Sequence, residues 1–503
     1  PEMGSCASLS LKGETMAQIV VLGAGIAGHT AALHLSRLLK KKDRHSVVVI
    51  SPKPTYNWIP SNIWVGTGKM DRKKVIYKLA PIYKRLGVDF RQGAAHTIYP
   101  EGTADNPRPQ VEFTYTDARN EGRTERVEYD FLINATGPQL NFAATPGLGP
   151  DHGNTISVCT DDHAVEAAGV FANAVAKMRR GEKQRIVVGT GHGTCTCEGA
   201  AFEYAFNVEH ELRDAGVRDN AEVVYLTNEA ELGDFGVGGM IFKQNGYETT
   251  SRIWTESLFR ERGVRAITGA AVTNIEDHTI TYENLDGDVK ELPYDVAMLL
   301  PPFKGVAIKA FDRDGKDITD RLFSPVGFQK VDADYTPKPY EEWGPDDWPK
   351  TYQSPGYDNI FAAGIAFAPP HQISQPRKNK NGTMIAPAPP RTGMPSGAIA
   401  REVAHSIAAR VKDPSAPLKK ISMAEMSAIC IASTGKNMVN GTAAAMVMDP
   451  IVPNPAKYPN RGHRNPSTTR GEIGLFGHWE KLMIHYMFIY KAKALPGWQL
   501  IPE

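Results

Sequence analysis

Apolar residues along this chain fall into short unbroken runs closed by glycine or other small residues. That is the pattern of strands buried on both faces rather than of half-exposed ones. Gln18–Leu22 is the first such run. A glycine-rich turn, a helical stretch over Thr30–Lys40 and a second run, Val47–Ile50, follow it and predict a strand–helix–strand unit. A second unit is predicted from the helical pattern Ala164–Arg180 and the strand Arg185–Val188, again ending in glycines, with Val223–Leu226 as its next strand. Two further runs, beginning at Tyr129 and Asn359, stop at small residues and turn. Segments 306–358 and 369–395 are rich in proline, glycine and charge and read as long loops. Residues 449–471 read as a proline-rich linker or exposed excursion.

The first turn is Gly23-Ala-Gly25-Ile-Ala27-Gly28, a G-x-G-x-x-G spacing between strand and helix. Gly23 permits the tight turn, Gly25 lets a pyrophosphate approach the backbone, and Gly28 allows close packing of helix on strand. The helix start then offers free N–H groups and the positive end of its dipole to the phosphates. An acid usually ends the second strand to hold ribose, but Ser51 stands there, so hydroxyl or backbone contacts are expected instead. The later strands ending in Ala135-Thr136-Gly137 and Gly364-Ile365 resemble the return strands of two-dinucleotide-domain flavoproteins and favour FAD at this site, although Ile365 replaces the usual Asp. The second turn, Gly189-Thr-Gly191-His-Gly193-Thr194-Cys195-Thr-Cys197, has Thr194 at the third fingerprint position, and the next strand ends at Thr227 with Glu229 nearby. This second domain is expected to have given up NAD(P)H.

The predicted architecture is therefore α/β, with two Rossmann-like dinucleotide-binding domains and a C-terminal membrane-associating helical segment. The expected boundaries are 16–157 and 306–415 for the two parts of the FAD domain, 158–305 for the second domain, and 416–503 for the C-terminal region. Residues 1–15 read as foreign sequence ahead of a natural start at Met16, which would leave Cys6 without a role. Lys and Arg number 57 against 56 Asp and Glu, so no basic excess points to nucleic acid. Five cysteines in 503 residues exclude a disulfide-stapled module and raise the question of what Cys159, Cys195, Cys197 and Cys430 do. Cys-x-Cys without nearby His or Cys partners does not match a zinc site.

Ser157-Val-Cys159-Thr160, Cys197-Glu-Gly-Ala-Ala-Phe-Glu-Tyr204, Leu300-Pro-Pro-Phe303-Lys304-Gly305, Phe361-Ala-Ala-Gly364-Ile365 and Ala428-Ile-Cys430 occur in the order found in sulfide:quinone oxidoreductases. The chain resembles that family from Met16 to its C-terminus, with extra segments near 306–358, 371–390 and 449–471. Tyr56-Asn-Trp-Ile-Pro60-Ser61-Asn62 and Arg391-Thr392-Gly393 are similar to the family's flavin-side segments. The resemblance implies a peripheral membrane flavoenzyme that oxidises hydrogen sulfide to polysulfur and passes electrons through FAD to membrane quinone. It also implies a redox pair at Cys197 and Cys430, with Cys159 as a third cysteine that helps start or release the sulfur chain or attaches to the flavin. Cys195 is an extra residue, and whether it or Cys197 faces Cys430 stays open. His163 matches a family histidine that could act as a base, whereas another falls on Asp234; Glu198 and Glu203 are weaker candidates. Lys304 and Arg391 could place positive charge at the flavin, and Phe303 and Phe488 match positions near the quinone.

The chemistry suits such a set. HS⁻ is a soft nucleophile that attacks a protein disulfide, leaving a persulfide and a thiolate that passes its electrons on. A low thiolate pKa is expected from the helix start after Gly193. At the C-terminal end, Gly477–Lys493 is apolar and aromatic, too short and charged to span a bilayer but suited to its surface. Residues 456–493 carry seven Lys/Arg and two Glu, a net +5 expected to favour anionic lipid. An NADH:quinone oxidoreductase of the same fold, sulfide oxidation with a cytochrome acceptor, and a non-catalytic flavin-binding protein are the rival readings. A homo-oligomer is an open possibility.

Overall fold

The strand Gln18–Leu22 lies between Ser46–Ser51 and Phe131–Asn134 and runs parallel to both, with Val20 opposite Val48 on one side and Leu132 on the other. Ile19 to Leu22 have no exposed surface, which is why the run is unbroken by polar residues. In the computed structural model, which describes residues 16–39, 45–196, 198–244, 246–390, 392–435, 441–460 and 462–503, this strand is central to an eight-stranded sheet. The late strand Ile360–Ala362 returns to it beside Phe131–Asn134, and three strands over 89–128 extend its other side. Cys6, Cys197 and Arg391 lie outside the described residues.

The second sheet is built the same way, from parallel strands in the order Arg265–Ile267, Ala221–Leu226, Gln184–Thr190 and Val296–Leu300. The fold is thus the α/β arrangement of two dinucleotide-binding units predicted from the glycine turns. A third sheet runs Tyr247–Thr250, Ile241–Gln244, Arg470–Gly474, Ala443–Met448, Ala428–Ser433, so strands of the second unit and of the C-terminal region share one surface.

Three local expectations change. The first helix spans Ile26–Leu38 rather than starting at Thr30, because the glycine turn is itself the first helical turn, with Gly25 as N-cap. The helix Asp161–Arg179 also starts early: the Thr160 side chain accepts the His163 N–H, and Asp161 and Asp162 complement the dipole. Segment 449–471 is not simply an exposed excursion. Arg464 is 4% exposed and donates to the carbonyls of Val237, Gly239, Pro450 and Ile451, while Ile451 and Val452 are buried. Four N–H groups of one planar fork, each given a carbonyl acceptor, can pin irregular backbone in this way.

Candidate functional site

At the first turn, φ of Gly23 is +94° and a side chain there would collide with the Ala135 carbonyl, whereas the space beside Gly25 is open. No side chain caps the first helix, so its leading N–H groups are left for another partner. Gly364, at φ +67°, packs against Ala27, and Gly393, at the start of the helix Gly393–Lys412, packs against Ile26. Ser51 is buried at the end of the second strand, and Gly137 also has open space beside it. Thr392 precedes the second helix start as N-cap, and Ile365 sits in the short helical turn Gly364–Ala366. Two uncapped helix starts and open glycines facing one region form a cradle that fits the diphosphate of a dinucleotide.

The second turn is closed by the protein's own backbone. The N–H of Ala386 donates to Gly193 O at 2.8 Å and that of Ala388 to Cys195 O at 2.8 Å. A Cβ on Gly193 would collide with the Met384 carbonyl, and Thr196 Oγ1 lies 3.3 and 3.2 Å from the Ala388 and Pro389 carbonyl oxygens. Residues 384–390 therefore occupy the face of the turn where a nucleotide's phosphates would approach. Glu229, the nearest acid to a ribose position, is turned inward: its carboxylate accepts from Thr227 Oγ1 at 2.9 Å and from the Phe235 N–H at 2.8 Å.

The cysteines meet at the seam of these units. Cys430 lies on the strand Ala428–Ser433, and its Sγ is 3.6 Å from where a Cβ on Gly199 would stand, over the first turn of the helix Glu198–Asp214. Cys195 is fully buried and its thiol donates to Leu300 O at 3.0 Å. The Cys159 N–H donates to Ser157 Oγ at 3.1 Å. His163 stacks edge-on against Phe142, with Nε2 3.8 Å from the Asp151 carboxylate and a buried Nδ1 that has no hydrogen-bond partner.

At the described cysteines the expected low thiol pKa is not found. Burial pushes the Cys159 thiol up and that of Cys195 well up. Burial also raises Cys430 to about 11, opposed by the positive Lys481. Desolvation of a thiolate inside the fold outweighs the single helix start that the sequence suggested.

The wall behind Cys430 is the inner face of the C-terminal helix Leu475–Ala492. Lys481 is 7% exposed and reaches both oxygens of the buried Glu203 carboxylate, at 3.0 and 3.1 Å, and Ile431 O at 3.0 Å. Glu203 also accepts from the N–H and Oγ of Ser433. One turn on, His485 Nδ1 is 2.7 Å from Ser61 Oγ, and its ring meets Trp64 edge-on. Burial and the Lys481 charge lower the His485 pKa to about 4, so its ring is neutral. Phe488 stacks on Trp58 at 5.3 Å, whereas Phe303 lies opposite Leu140 in the short pair formed by Phe303–Gly305 and Pro138–Leu140. Lys304, half-buried, is the middle residue of that pair. Asn62 exchanges amide hydrogen bonds with Asn57, and Pro60 lies in the turn Ile59–Ser61 just before it.

Sequence reasoning missed Lys481, His485, Trp58 and Trp64. A polar residue every three or four positions (His478, Lys481, His485) inside an aromatic stretch was the available signal for a buried functional face.

Part of the positive charge expected at this end is internal, while Lys457, Arg470 and Lys493 are exposed. Arg464, Lys481 and Lys491 are buried, the last paired with Glu503 at 2.6 Å. The helix instead exposes Phe476, Trp479, Met483, Tyr486 and Tyr490, spaced three and four apart. Among the described residues no helix is long and apolar enough to cross a membrane.

Two dinucleotide units, one with an open turn and one closed, joined where cysteines converge, define a flavoprotein oxidoreductase. Residues 17–300 match the pyridine nucleotide-disulphide oxidoreductase family. The chain belongs to that family and is an FAD-dependent oxidoreductase. It is 27% identical over 478 residues to a sulfide-quinone reductase of Aquifex aeolicus (strain VF5), covering 94% of this chain and 91% of that protein. The crystal structure of the sulfide:quinone oxidoreductase from the same bacterium superposes with a TM-score of 0.72 at 26% identity, over 95% of this chain and 92% of that one. A mitochondrial external alternative NAD(P)H-ubiquinone oxidoreductase B1 of Solanum tuberosum is 22% identical over 59% of this chain and 49% of its own length. NDH2 from Plasmodium falciparum shares the fold, with a TM-score of 0.60 at 13% identity over 95% and 96% of the two chains.

Proposed function

We propose that this protein is a sulfide:quinone oxidoreductase. The observation that carries the reading is the position of Cys430 over the first turn of the helix that begins just after Cys197. Because the Cys195 thiol is already committed to Leu300 O, we assign Cys197 as the partner of Cys430. The closed second turn supports the same reading against NAD(P)H, because a nicotinamide dinucleotide would have to displace residues 384–390.

FAD is held by the open turn Gly23–Gly28, with Ala27, Ser51, Ala135–Gly137, Gly364, Ile365, Thr392 and Gly393 around it, and supplies two-electron exchange between a thiolate and quinone. Sulfide attacks the Cys197–Cys430 disulfide, breaking the S–S bond to leave a persulfide on one cysteine and a thiolate on the other. Lys481 stabilises negative charge at Cys430, and Glu203 fixes Lys481 in place. Cys159 serves the growing sulfur chain. Quinone approaches along the C-terminal helix near Phe488 and Trp58. The stripe from Phe476 to Tyr490 lies on the membrane surface as a peripheral contact.

The test is an anaerobic titration followed by flavin absorbance. Sulfide bleaches the wild-type flavin and NADH does not. Cys430→Ser retains FAD but is not bleached by sulfide. Rapid bleaching by NADH, or unchanged bleaching of Cys430→Ser, rejects the reading.

A further inference from the structure

Beside the cysteine turn lies a group of acids that the redox scheme leaves unused. Glu198 has no exposed surface, and neither of its carboxylate oxygens has a hydrogen-bond partner. Its Oε2 points at the loop 234–236, lying 3.5 Å from where a Cβ on Gly236 would stand. On the other side of that loop Glu229 is 1% exposed, with its two accepted hydrogen bonds from Thr227 and Phe235. Asp234 accepts from the Gly236 N–H at 3.0 Å and from Ser374 Oγ. The nearest buried cation, Arg464, is taken up by four backbone carbonyls and bonds none of these acids.

Buried acids sharing one low-dielectric site cannot all ionise, and an ion with no partner is the costliest of them. Glu198 therefore holds a proton at rest. Glu229, with two donors aimed at it, is the member able to exist as a carboxylate. A metal does not explain the group: among the described residues the only set of three donors close enough to chelate is His210, Glu211 and Asp214, elsewhere on the same helix.

We infer that Glu198 and Glu229 are the proton-accepting pair for hydrogen sulfide at the cysteine turn. This rests on the sulfide:quinone reading. Neutral H₂S enters an acidic surrounding that repels HS⁻ and gives one proton to the pair. One S–H bond breaks, one carboxyl O–H forms, and HS⁻ is left to attack sulfur. The pair goes from one proton to two, and no electrons move in this step. The groups facing it are Asp234, the Tyr225 hydroxyl, the Cys195 thiol and, at longer range, Arg464. Burial, then repulsion from Asp234, raises Glu229 to about 7, a range in which it can take a proton from H₂S near neutral pH.

The test uses FAD-loaded wild type, Glu198→Gln and Glu229→Gln. Infrared difference spectra of wild type at neutral pH are expected to contain a protonated-carboxyl C=O band that either substitution removes or shifts. Stopped-flow reduction of the flavin by sulfide is expected to slow by roughly 10²-fold in each variant, with its pH dependence displaced. Retained flavin absorbance reports that each variant is folded. Wild type that takes no electrons from sulfide overturns the functional reading. Wild type that does, with both variants at full rate and no carboxyl band, overturns this inference alone.

Discussion

The two glycine turns share a parent architecture, and they differ in what faces them. At the first, the space beside Gly25 is open and the helix start is uncapped. At the second, the face of Gly193 is filled by Met384 and Ala386 of the same chain. The helices after the two turns are nevertheless tied to one common element. His29 on the first helix meets Ala492 O at 2.6 Å, and Glu203 on the cysteine helix meets Lys481, both partners being on the C-terminal helix. One unit presents a cofactor cradle while the other carries the cysteine turn, and the C-terminal helix is tied to both.

The largest effect is expected at the open turn. A Cβ at Gly25 meets no atom within 4 Å, so Gly25→Glu starts into open space while setting a negative charge against the diphosphate. The variant should purify without flavin absorbance and with unchanged far-UV circular dichroism; retained FAD would mean that the turn is not the cradle. Next comes the tie from the second helix. Lys481→Met strands a buried Glu203 carboxylate, and removing one partner of such a pair costs about 3–5 kcal/mol. Urea unfolding should register that loss, and the double replacement Glu203→Leu with Lys481→Met should recover most of it. At the closed turn, Gly193→Ala forces the Met384 backbone aside at a cost of about 1–3 kcal/mol. Limited proteolysis should then cut within 377–390 faster than in wild type while FAD stays bound. Unchanged cleavage would show that the segment is not held by the turn.

The first cradle was legible because its signal is local: six residues fix the turn and the helix start. The order of the cysteine motifs was legible for the same reason. The Glu203–Lys481 and Ser61–His485 contacts were not, since they join residues 278 and 424 positions apart. Lys481 also read as part of a surface charge excess rather than as a buried partner. The cover on the second turn escaped because backbone N–H groups of a proline-rich run make it, and such groups leave no residue signature. The thiol pKa of the described cysteines was misjudged because a helix start is visible in sequence whereas desolvation is a property of the folded surroundings.

The smallest predicted effect sharpens the first helix's tie. His29 is buried between Tyr83 and Ala492, with Nε2 donating to the carbonyl and Nδ1 accepting from the Tyr83 hydroxyl at 2.8 Å. Burial, partly offset by that carbonyl, lowers its pKa from 6.5 to about 4. Above pH 6.5 the ring is neutral in both folded and unfolded chains. Between 6.5 and 4 only the unfolded chain binds the proton, so stability falls as pH drops, by about 1.4 kcal/mol per unit. From pH 6.5 to 5 this group alone should remove about 2 kcal/mol, read as a lower urea midpoint. His29→Gln cannot titrate, so its midpoint should fall less steeply over that window. An equal slope in the variant would place the acid sensitivity elsewhere and leave the tie between the cradle helix and the C-terminal helix as packing alone.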